Sequence, residues 1–363
     1  MEQLTRVDLA EDPHFALRTA LGLGLAVLLA EPLGISVPVL VVSLTLSLMS
    51  SQRGRFSLRR GMVVPLAIPV ISAIFSAIAA MTLGEPLLFT TIFLIFAAIG
   101  LYLMVIRGSI AGSLFAIIPA MISVTAVASD QALVVMRDSF TMTGLFMAVT
   151  LPLLNFLLPP KTDRVHVPAP VAADYDRPGR EVLLRLAILA PVLLFCWITA
   201  DANLVILPII VIFVLGQGEH TMRHREAFDR IIATLLGAAT AIAGLAVYHL
   251  IPALPVFIGL TMLVGLYAAH GMSKGRLSPV TYQFGASVAL ILMVTSIGTR
   301  DAFEIIFQRT ALTVVGAVLA IGALALLEEM VIGAPARLRQ RRAARVTARR
   351  LVLVHSGESM RAP

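Results

Sequence analysis

Apolar residues in this chain fall in long unbroken runs separated by short polar breaks. A barrel strand would alternate apolar and polar positions, and a soluble helix would carry one apolar stripe. Neither pattern dominates here. The runs have the length an α-helix needs to cross a bilayer, about 20 residues. They predict twelve spans near 15–31, 35–50, 61–82, 87–106, 109–128 and 137–158, then 182–200, 203–216, 229–250, 254–270, 278–298 and 307–328. The second and eighth are short. Turn-forming residues mark several breaks: Glu31-Pro32-Leu33-Gly34, Leu83-Gly84-Glu85-Pro86, Arg107-Gly108, and Ile251 to Pro255. The longest break, 159–181, carries five prolines and mixed charges with no apolar period, which is the composition of a linker.

Composition fixes the solvent. Hydrophobic residues make up 58% and charged residues 13%, with a mean hydropathy of +0.93. A soluble domain carries about 25% charge, so water cannot surround most of this surface. Hydrocarbon requires every backbone group to be satisfied internally. The expected class is therefore all-α integral membrane, multi-pass. The net charge of +7 raises nucleic acid as a partner. The basic residues sit at span ends and in the tail without aromatic interleaving, so lipid bilayer is the expected partner and nucleic acid is not. Cys196 is the single cysteine, which excludes a disulfide framework. The first run, Phe15 to Ala30, is long for a signal peptide and is expected to remain as helix one.

Lys and Arg set the orientation. With the N-terminus in the cytoplasm and twelve crossings, every basic residue except Arg137, Arg300 and Arg309 falls on the cytoplasmic side. An odd count would scatter them. The expectation is a multi-pass inner-membrane protein with both termini cytoplasmic. Its parts are a six-helix membrane repeat over 1–158, a Pro-rich linker over 159–181, a second six-helix repeat over 182–330 and a basic tail over 331–363. The repeat rests on residues in register. Pro38 and Arg60 recur as Pro208 and Arg230 at an offset of 170, and Arg18 and Arg137 recur as Arg185 and Arg309 at similar offsets. Six crossings per half is even, so the two repeats are parallel, related by an axis along the membrane normal.

The second half contains Arg230-Ile-Ile-Ala-Thr-Leu-Leu-Gly-Ala and Gln308-Arg309-Thr-Ala-Leu-Thr-Val-Val-Gly-Ala; the first half has the weaker Arg18-Thr-Ala-Leu-Gly and Arg60-Gly-Met-Val-Val-Pro. These segments resemble the Arg-x-x-x-Thr-x-x-Gly-Ala pattern of the fusaric acid resistance and aromatic acid exporter superfamily. That resemblance implies a bacterial inner-membrane exporter of small amphipathic or aromatic organic acids, and a periplasmic adaptor as a partner. Larger members carry a substantial cytoplasmic domain after the first six helices. Here only the short linker stands there, so the chain looks like a compact, membrane-only member.

Candidate chemistry is sparse. No Gly-x-x-x-x-Gly-Lys-[Ser/Thr] loop is present, and Gly271-Met-Ser-Lys-Gly only echoes one. The energy source expected is an ion gradient, most simply protons. Glu219-His220-x-x-x-His224 lacks the zincin order and is read as part of a basic loop. No metal, cofactor or enzymatic activity is expected. Ionisable groups in spans are functional candidates. Arg137 and Arg309 open the sixth and twelfth spans, where two guanidinium groups facing one cavity would bind a carboxylate through paired hydrogen bonds; the competing reading is interfacial arginine or a local Arg137–Asp138 pair. Asp138, Asp201 and His270 are the candidates for proton coupling, against a role as solvated or singly bonded groups. Pro38 and Pro208 form the matched proline pair expected to break a helix at a binding site; Pro38 also makes an irregular segment over Ser43, Thr45 and Ser47 plausible. Arg18, Arg185, Arg60 and Arg230 are read first as orientation signals. The expected function is secondary export, proton-driven, of a small organic anion. The alternative is a channel-like or accessory component of an efflux assembly, and self-association is open in both readings.

Overall fold

The computed structural model describes residues 12–54, 56–108, 110–162, 178–215 and 220–296, together with residue 322. Among them the chain is helical, with no strand. The order is α1 (Phe15–Ala30), α2 (Pro38–Ser50), α3 (Leu58–Thr82), α4 (Pro86–Val105), α5 (Ile110–Ala128) and α6 (Asp130–Leu157), then α7 (Pro178–Thr199), a 3₁₀ turn at Ala202–Val205, α8 (Ile206–Leu215), α9 (His220–Leu250), α10 (Leu254–Lys274) and α11 (Pro279–Ser296). The span expected near 307–328 lies outside the described residues. Among the described residues, seven helices are long and apolar enough to cross a membrane: α3, α4, α6, α7, the Ile232–Leu250 part of α9, α10 and α11. Helices α1, α2 and α5 are shorter but apolar.

Local chemistry explains most boundaries. Pro38, Pro86 and Pro279 open α2, α4 and α11; proline suits the first turn of a helix, where its missing N–H has no partner to lose. Ser129 caps α6 by accepting from the Ala132 N–H at 3.0 Å. The α1–α2 turn closes at Gly34 (φ +66°), with Ile35 N–H reaching back to Ala30 O at 2.9 Å. That positive φ is open to glycine at no steric cost. Helix α9 begins at His220 rather than near 229. Its first turns are polar, so the apolar run marks only the part beyond them. The serines of α2 sit on a regular helix and not on an irregular segment.

The outside of the bundle is apolar. On α3 the exposed Val63, Leu66, Val70, Ile74 and Met81 follow helical spacing along one face, and α4, α6, α9 and α10 likewise expose large hydrophobics. Burying such side chains is worth roughly 1.5–3 kcal/mol each, so a continuous exterior of them fits hydrocarbon as the surrounding medium. Inside, α5 is wrapped on all sides: residues 118–126 are all buried. It packs on α3, α4, α6, α7 and α8.

Two hydrophobic cores form, and each mixes the two ends of the chain. One joins α3–α6 to α7 and α8. The other joins α1, α2 and the C-terminal end of α6 to α9, α10 and α11. The packing pairs that create this crossing are α1 on α10 with α7 on α4, and α2 on α11 with α8 on α5.

Several contacts also fix helix direction. Val37 N–H donates to Ser139 Oγ, and Thr45 Oγ1 donates to Met147 Sδ; both pairs are separated by 102 residues, so α2 and α6 run the same way. Gly24 abuts Ile258 and Met262, while Gly265 abuts Ala20 and Leu23, so α1 and α10 run oppositely. Gly237 meets Gly285 and Gly244 meets Met293, which makes α9 and α11 parallel. The even pair α2–α6 and the odd pair α9–α11 run parallel while the odd–even pair α1–α10 is opposed, as successive crossings require.

Candidate functional site

The residues singled out from the sequence fall at both ends of the bundle. At one end, α6 begins at Asp130, so Arg137 and Asp138 lie about two turns inside it rather than at its start. Arg137 Nε donates to Asp138 Oδ1 at 2.9 Å and its Nη2 lies 2.8 Å from the same oxygen. The side chains are 42% and 53% exposed, so this is a local pair open to its surroundings. The next residue, Ser139, accepts the N–H of Val37, directly before Pro38. Pro38 and the Arg137–Asp138 pair thus share one corner, where α2 begins beside α6.

A second corner lies where α7 passes into α8. Ala200 adopts φ +51°, an uncommon conformation for a residue with a Cβ, and its N–H bonds to Cys196 O at 3.1 Å. The exposed Asp201 follows, its backbone carbonyl accepting from the Leu204 N–H at 3.1 Å. Pro208 is buried in the first turn of α8, beyond the 3₁₀ turn. Gly34, in the turn between α1 and α2, and Ala200, directly after α7, both have positive φ.

His270 stands apart from both corners. It is exposed near the C-terminal end of α10, at the end of the bundle where Lys274 and Arg53 also lie, and Arg53 Nη1 donates to Met272 O at 3.2 Å. Arg309 lies outside the described residues. Among the described residues, no group of three or more His, Cys, Asp or Glu side chains could hold a metal ion.

Sequence reasoning undervalued two residues. Arg18 and Arg185 are the largest fully buried side chains of the described structure, at 2% and 0% exposure. Arg18 forms an ion pair with the buried Asp12, and its Nη1 donates to Leu158 O at 2.9 Å. Arg185 Nη1 donates to Glu181 Oε2 at 2.7 Å, and its Nε to Leu215 O at 2.9 Å. Their similar offset in the sequence was one visible signal, and the i,i+4 spacing of Glu181 and Arg185 was another; Asp12 gave none that set it apart from other acids at span ends.

The recurring motif segment has a packing role. On α9, Ala233, Gly237 and Ala241 are buried at four-residue spacing. A Cβ on Gly237 would stand 2.5 Å from Gly285 O, and one on Gly285 would stand 3.1 Å from Ala233 O. Small residues at this spacing let two apolar helices approach backbone to backbone.

These features define an all-helical protein of the membrane-crossing kind. Residues 188–323 match the family model described as fusaric acid resistance protein-like. No curated protein and no solved structure matches the chain closely enough to count as similar.

Proposed function

We propose that this protein is a secondary exporter of small aromatic or amphipathic organic acids, driven by the proton gradient across a bacterial inner membrane. The observation that carries the reading is the fusaric acid resistance protein-like match over residues 188–323, set in a bundle whose exterior is apolar. Twelve crossings, two parallel repeats and termini on one side belong to the same proposal. The crossed pairs α1–α10 with α7–α4, and α2–α11 with α8–α5, support it because each maps onto the other when the halves are exchanged.

In this reading Arg137 and Arg309 hold the substrate carboxylate. Arg137 is already paired with Asp138, so protonation of Asp138 releases the guanidinium for a bidentate bond to the acid. Asp201 and His270 are the further proton-handling groups, at opposite ends of the bundle. Pro38 and Pro208 place the helix starts beside these corners. An adaptor protein would have to dock on the short turns between helices.

The test is transport by the purified full chain in liposomes. Radiolabelled benzoate should accumulate when a pH gradient is imposed, and a protonophore should abolish the accumulation. The Arg137→Ala/Arg309→Ala double variant should lose at least about tenfold in rate, about 1.4 kcal/mol, with unchanged thermal stability. Benzoate movement that ignores the protonophore would establish the channel-like alternative. Wild-type rates in the double variant would remove the arginine clamp.

A further inference from the structure

Two buried arginines in an apolar bundle need a reason. Taking a guanidinium and a carboxylate out of water costs so much that their pairing about breaks even, and ionisable groups inside membrane segments mark function more often than stability. Arg18 is the fourth residue of α1 and Arg185 the eighth of α7. Each joins the same three things: its own guanidinium, a carboxylate shortly before it in the chain, and the last carbonyl of a helix. Those carbonyls are Leu158 O, just past the end of α6, and Leu215 O, the last described carbonyl of α8.

The carboxylates are held as a ligand would be. Asp12 is fully enclosed. Besides its ion pair with Arg18, its Oδ1 accepts the backbone N–H of Lys161 at 3.1 Å and of His14 at 3.2 Å. That is a cradle of one guanidinium and two N–H donors, which suits any carboxylate. Glu181 meets Arg185 through one oxygen at 2.7 Å and keeps 12% exposure. Other charged or titratable groups near the first cradle are His14, whose Nδ1 lies 3.0 Å from Pro159 O, and Arg53, whose guanidinium stands 5.9 Å from the ring centroid of Phe15.

We propose that Arg18 and Arg185 are carboxylate-binding sites occupied at rest by the chain's own Asp12 and Glu181, which stand in for the carboxylate of a small organic acid. An acid that takes Arg18 displaces Asp12, and with it the grip of Asp12 on Lys161 at the start of the linker. The identity of the acid rests on the exporter reading; the cradles do not.

Chemical rescue tests this. Asp12→Ala and Glu181→Ala each empty a cradle and should lower the melting temperature of the purified full chain. Benzoate should restore it, with a shift at least about threefold that of the wild-type chain, while neutral benzamide should not. Arg18→Gln added to Asp12→Ala should cancel the rescue. If Asp12→Ala does not fold, Glu181→Ala, whose carboxylate reaches the surface, decides the question. A benzoate shift no larger in the variants than in wild type overturns the proposal. Rescue without benzoate transport by the wild-type chain would keep the cradles and discard the exporter; transport without rescue would do the reverse.

Discussion

Gly237 sits where the resemblance to exporters was drawn, and its physical role is plain. Its absent side chain lets α9 lie against the backbone of α11 at Gly285. Gly237→Val should therefore cost about 1–3 kcal/mol through overpacking, read as a lower melting temperature in detergent. Gly259 on α10 faces open space. Gly259→Ala should be neutral or gain up to about 1 kcal/mol, since alanine favours helix over glycine. An equal loss at both sites would mean that close packing at Gly237 is not what the motif provides. Residues differ in how far their sequence betrays them. Arg137 and Asp138 are neighbours, and their pairing is readable from adjacency. Arg18 and Arg185 read as orientation signals because their enclosure depends on carbonyls the fold brings in, Leu215 from 30 residues away and Leu158 from 140.

Among the elements, the long apolar helices were legible because composition in hydrocarbon leaves no alternative. Their ends were less so. Helix α9 continues into the polar stretch from His220, which an apolar run cannot reveal. Proline at position 38 suggested a break, yet it stands at the first turn of α2, where it disturbs nothing. What individual helices do was legible only in part. Helix α5 looks like any other span in sequence but is enclosed by five neighbours. One polar link pins it: Trp197 Nε1 on α7 donates to Ser123 Oγ at 3.1 Å, with the indole edge-on to Phe89 of α4 at 5.4 Å. Trp197→Phe and Ser123→Ala should each cost about 0.5–1.5 kcal/mol from the lost bond, with further loss for the smaller ring. Because they share that bond, the double variant should cost less than the sum of the singles. Strict additivity in thermal or denaturant unfolding would show that the bond contributes nothing.

At the scale of the whole molecule, the matched residues at an offset of 170 pointed to two similar halves, but not to how they meet. Periodicity says which residues face inward and nothing about whose helix they face. The structure places α1 and α2 in the core of α9–α11, and α7 and α8 in the core of α3–α6. The halves are interlocked, so neither holds a complete core alone, and a transport path between them would be walled by both. Interlocking is the claim on which the rest depends, and a cross-link tests it most directly. In a Cys196→Ser chain with a protease site placed within 163–177, Gly24→Cys and Met262→Cys put thiols on α1 and α10 where a Cβ on Gly24 would lie 2.9 Å from Met262 Cγ, within reach of a disulfide. After oxidation and cleavage, the two fragments should migrate as one band that reduction separates. Fragments that part without reduction, while the uncleaved chain remains folded, would contradict the interlocked arrangement.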